Sequence, residues 1–69
     1  MPKKIRELKA MLRKAGCFSR PGKGSHTIWG HPTTTAKITL SGADGDDAHP
    51  YQEKDVRVFL RKLKEMRYE

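Results

Sequence analysis

The sequence predicts an α+β domain running helix, strand, strand, strand, helix. Apolar residues recur at helical spacing near both ends of the chain. The middle is rich in β-branched residues that alternate with polar ones. Three antiparallel strands leave one face bare, so both helices most simply cover the same face. With 69 residues the chain encloses one core, so residues 1–69 read as a single domain.

The first helix is expected in KKIRELKAMLRKAG, where Ile5, Leu8, Met11, Leu12 and Ala15 form one stripe. Gly16 falls where a left-handed cap would end it. CFSR is a short strand, with Cys17 as a small apolar strand residue, and PGKG turns the chain. SHTIWGH alternates polar and bulky residues up to Gly30 and Pro32. Trp29 turned inward buries the larger apolar area, which sends His26 and Ile28 to the outer face. In TTTAKITL, Ile38 and Leu40 share one face, Lys37 and Thr39 the other. SGADGDDAHP is a loop long enough to suggest a task of its own. In YQEKDVRVFLRKLKEM the stripe is Val56, Phe59, Leu60, Leu63 and Met66, with Tyr51 as an N-terminal staple. Glu53 and Asp55 fall early in this helix, and Lys62, Lys64 and Arg67 late, as its dipole favours.

Composition excludes several classes. A single cysteine forms no intrachain disulfide and no cysteine zinc cage. No stretch approaches the roughly 18 apolar residues that span a bilayer, and the charged N-terminus is unlike a signal peptide. A soluble cytoplasmic protein with no membrane partner is expected. The net charge of +7 is uneven, because residues 1–24 alone carry eight basic groups against Glu7. Lys3, Lys4, Lys9, Arg13 and Lys14 would attract a polyanion without reading its sequence. A solvated lysine-rich helix face has the same pattern.

His26 is the leading candidate for chemistry. It follows Gly22, Lys23, Gly24 and Ser25, whose two glycines let backbone approach a ligand closely. Lys23 adds charge and the loop amides offer hydrogen bonds to a phosphate oxygen. An imidazole can take a proton from a ribose 2′-hydroxyl or give one to a leaving oxygen. The stretch GKGS lacks the spacing of a nucleotide-binding P-loop. His31, before Pro32, is either a second acid or base or only a strand end. Asp44, Asp46 and Asp47 with His49 miss the spacing of a calcium loop and read as a solvated acidic loop.

Taken together, AGCFSRPGK, GSHTIWGHP and KITLSGADGDDAHPYQEKDVRVFL resemble the HicA family of type II toxin–antitoxin toxins over about residues 5–63. The most specific element is glycine-serine-histidine with an aromatic three residues later and a histidine-proline behind it. The resemblance implies a fold similar to a double-stranded-RNA-binding domain. It also implies an mRNA interferase, an endoribonuclease that cleaves mRNA and arrests translation. His26 takes the position of the family's active-site histidine, with Arg20 and Lys23 as basic neighbours and Gly22, Gly24 and Ser25 around the substrate. A HicB-like antitoxin is the implied partner, and no metal or cofactor is implied. The alternative is a non-catalytic module that binds double-stranded RNA by shape. An adaptor whose bare sheet only docks a protein is a third reading.

Overall fold

In the computed structural model, which describes residues 2–66, α1 (Ile5–Lys14) leads into strands β1 (Phe18–Pro21), β2 (Thr27–His31) and β3 (Thr34–Leu40), and α2 (Pro50–Met66) closes the chain. This is the expected order, with a three-stranded antiparallel sheet in the order β1-β2-β3. Arg67 lies outside the described residues.

Helix α1 buries Ile5, Leu8 and Leu12. It ends where expected, because Gly16 adopts a φ of 90° that other residues rarely tolerate. The Gly16 and Cys17 amides then donate to the carbonyls of Arg13 and Leu12, each at 3.0 Å. Those bonds form a Schellman cap with Cys17 and Leu12 buried behind it. Cys17 therefore sits just ahead of β1 rather than in it, and burial pushes its thiol above the ordinary range.

The register fixes the two faces of the sheet. Trp29 lies opposite Ser19 and Ile38, while Ile28 lies opposite Arg20 and Thr39. Gly30 lies opposite Phe18 and Lys37. Cross-strand partners share a face, so Trp29, Ile38 and Leu40 point to the core. They join Leu8, Leu12, Val56, Phe59 and Leu63 in one cluster. Phe18, Arg20, Ile28, Lys37 and Thr39 occupy the uncovered face. Trp29 is inward as predicted, with 1 % of its surface exposed. Its Nε1 donates to Thr27 Oγ1 at 2.9 Å, and the Arg13 guanidinium stands 5.4 Å from its ring centroid. Arg13 is thus engaged with an aromatic face at the edge of the core. A register shift between Gly30 and His31 closes the β2–β3 pairing. In α2, Met66 ends the expected stripe 40 % exposed.

As expected, Asp44, Asp46 and Asp47 lie in an exposed loop, and the backbone of this segment also caps α1. The carbonyls of Asp46 and Asp44 accept from the Ile5 and Arg6 amides at 2.9 and 3.1 Å, which have no partner inside α1. The Lys4 amide donates to Glu7 Oε1 at 3.1 Å, completing that turn. Lys4 pairs with Asp47, and Lys9 reaches Asp44 at 2.6 Å. The segment then hands over to α2 through Gln52, which is 2 % exposed. Gln52 accepts from the His49 amide at 2.8 Å and donates to the Ser41 carbonyl at 3.1 Å. With Pro50 in the first helical position, this is an N-terminal cap built from a glutamine. Tyr51 does not staple the helix: it is 60 % exposed and stacks on the His49 ring, 5.6 Å between centroids.

The Lys9 hydrogen bond and charge, with smaller help from Arg13 and Arg6, hold the Asp44 carboxyl below its usual range. A carboxylate depressed in the folded state contributes stability above its unfolded value of about 4, and that contribution is lost as pH falls further. Asp44→Asn is therefore expected to flatten the acid limb of the stability profile below about pH 4. Thermal unfolding across pH at low salt reads this, and high salt should shrink the difference because Asp44 is exposed.

Candidate active site

The uncovered face continues past the end of the β1–β2 ladder to Gly22 and His26. The Gly22 amide donates to the His26 carbonyl at 2.8 Å, and a Cβ built on Gly22 would stand 3.3 Å from His26 Cβ. The pair therefore faces the same way, one step beyond Arg20 and Ile28. Lacking a side chain, Gly22 leaves the flank of the imidazole clear. His26 is exposed on this face, as expected from the inward turn of Trp29.

The turn between them is held by one carbonyl. Lys23 O accepts from the His26 amide at 3.1 Å and lies 2.8 Å from His26 Nδ1. A carbonyl only accepts, so Nδ1 carries the proton in the neutral ring. That leaves Nε2 with its lone pair directed away from the turn. Gly24 adopts a φ of 62° with nothing within 4 Å of its would-be Cβ. Its glycine is required by backbone conformation rather than by space.

The remaining expected residues divide by role. Lys23 and Arg20 are exposed, Arg20 on the face of His26. The Gly22 amide is used by the turn itself. Among the described residues, the amides of Lys23, Gly24 and Ser25 donate to no protein group. Ser25 Oγ accepts from the Gly42 amide at 3.2 Å and ties the turn to the capping segment. His31 does not join His26. Five residues of extended chain, roughly 16 Å, separate them along β2. The His31 Nδ1 instead accepts from the Thr33 amide at 3.2 Å.

Charge also divides between the two sides of the domain. Residues 17–41 carry Arg20, Lys23 and Lys37 and no acid. The N-terminal cations expected to attract a polyanion are partly engaged, Lys4 and Lys9 by aspartates and Arg13 by Trp29. The acidic segment thus spends two of its carboxylates, Asp44 and Asp47, on cations in and just before α1.

A family model described as the HicA toxin of bacterial toxin–antitoxin systems matches residues 5–66. The chain belongs to the HicA toxin family. Comparison with curated proteins and with solved structures gives no match. The HicA match spans all five elements, from the start of α1 to the end of α2. As a HicA-family member the chain is the toxin of a toxin–antitoxin system, and its partner is an antitoxin. No helix among the described residues of this HicA-family chain is long and apolar enough to cross a membrane.

Two features of the uncovered face are absent from the sequence expectations. One is the Lys23 carbonyl, whose role in fixing the imidazole tautomer carries no side-chain signal. The other is Phe18, which is 53 % exposed beside Gly30. Its parity with Arg20, two residues on, was the available clue.

Proposed function

We propose that this HicA-family toxin is an endoribonuclease that cleaves mRNA in the cytoplasm, with His26 as its acid–base group. The supporting observation is the exposed imidazole whose Nδ1 faces the Lys23 carbonyl and whose Nε2 is free. The ribose 2′-hydroxyl gives its proton to Nε2, and the 2′-oxygen forms a bond to phosphorus. The P–O5′ bond breaks, the departing 5′-oxygen takes a proton from water, the imidazolium returns its proton to the hydroxide left behind, and a 2′,3′-cyclic phosphate remains. Lys23 and the amides of Lys23, Gly24 and Ser25 stabilise charge that develops on the phosphate oxygens. Arg20 holds the adjoining backbone. With His31 at the far end of β2, one imidazole supplies the acid–base chemistry, so turnover is slow. A HicB-like antitoxin neutralises the toxin by covering this face.

The test incubates purified protein with end-labelled mRNA in the presence of a chelator. Cleavage supports the reading. Duplex RNA bound and recovered intact would make the protein a shape-reading binding module instead.

A further inference from the structure

Phe18 is a large aromatic residue placed where the core gains nothing from it. Its ring lies on the uncovered face against Gly30, its cross-strand partner. A Cβ on Gly30 would stand 3.1 and 3.2 Å from Cζ and Cε1 of the ring. The absent side chain thus creates a seat, and the ring rests on bare backbone while 53 % of the residue stays exposed. An aromatic group held in this way needs no ordering when a flat ligand arrives, so little of the stacking energy is lost to entropy.

The seat is aligned with the imidazole. The pairs Phe18–Gly30, Arg20–Ile28 and Gly22–His26 follow one another on the same face. At ~3.3 Å per residue, the ring lies roughly 13 Å from His26, with Arg20 between them. An extended ribose-phosphate chain covers that span in a few nucleotides.

We propose that Phe18 is a stacking site for one unpaired base of single-stranded RNA, with Arg20 holding the phosphate chain between that base and His26. The ligand assignment rests on the RNA-cleavage reading above. A base inside a duplex already stacks on its neighbours and cannot lie on the ring, so the site selects single strands. Charge favours a nucleic acid over a protein here, because β1–β3 and their turns carry three cations and no acid. At the edge of β3, Asp55 of α2 shares a groove with Lys37, Lys54 and Lys62. The apolar area is also small for a protein anchor, since the cross-strand pairs on this face from Phe18 to His26 add only the half-buried Ile28 to the ring.

The probe is a short oligoribonucleotide made uncleavable by 2′-O-methyl groups and carrying one fluorescent purine. Affinity is read by anisotropy and stacking by quenching, both without any cleavage step. Phe18→Leu keeps an apolar side chain but removes the π face. It should weaken binding about 5- to 150-fold, the size of one stacked base, and abolish quenching. Phe18→Tyr should restore both, and Arg20→Gln should lower the salt slope by about one. Unchanged melting of Phe18→Leu establishes that its fold is kept. Wild-type affinity in Phe18→Leu, or tighter binding of duplex than of single strand, overturns the proposal. So does a loss confined to antitoxin affinity, which would make the ring a protein anchor. Phe18-dependent binding by a protein that cleaves nothing would keep the stacking site and sink the nuclease reading.

Discussion

Replacing His26 with alanine is expected to lower the rate of RNA cleavage by roughly 10²- to 10⁴-fold, the usual contribution of a positioned acid or base. Growth arrest on expression should disappear with it. The side chain touches little besides the Lys23 carbonyl and the flank of Gly22, so its loss leaves the core intact. Circular dichroism and melting should therefore match the wild type, and antitoxin binding should survive. A folded variant that cleaves at the wild-type rate would remove His26 from the chemistry. His31→Ala provides the contrast. With His31 bonded to Thr33 at the other end of β2, cleavage should persist.

Trp29→Ala should have the largest effect on stability. The ring is fully buried between sheet and helices, and such truncations cost about 3–5 kcal/mol. Its loss also leaves Arg13 without an aromatic face and Thr27 without the indole donor. At roughly 0.05–0.15 kcal/mol per residue, a chain of this size has only ~3–10 kcal/mol in reserve. The variant should be largely unfolded at growth temperature and non-toxic for that reason. Denaturant unfolding followed by circular dichroism distinguishes this from the His26 effect. Trp29→Phe, which keeps most of the apolar volume, should unfold at an intermediate concentration. A Trp29→Ala protein as stable as the wild type would contradict the assignment of Trp29 as the centre of the core.

The stripes of α1 and α2 and the parity of β2 and β3 were legible because burial demands those periods. Gly16 was legible because a left-handed cap demands glycine. From the inward Trp29 the exposure of His26 followed directly. What escaped reading was held by backbone. The carbonyls of Asp44 and Asp46 cap α1 from far along the chain, and no local pattern reports such a contact. The same applies to the Lys23 carbonyl at Nδ1. Gln52 was legible in principle, since proline followed two residues later by glutamine marks a helix start. Tyr51 was misread because an aromatic near a helix start suggests a staple, whereas the buried place beside it belongs to Gln52. Phe18 went without a role because an edge strand exposed throughout shows no burial pattern to read.

The central claim is that a free imidazole nitrogen on the uncovered face takes the proton of a ribose 2′-hydroxyl. The most direct measurement maps one cleavage site, places a single 2′-deoxynucleotide on its 5′ side, and analyses the fragment ends by mass spectrometry. The mechanism predicts 2′,3′-cyclic phosphate ends on the ribose substrate and no cutting at the deoxy position. Cutting at the deoxy position, or fragments that end in a 3′-hydroxyl, would contradict it.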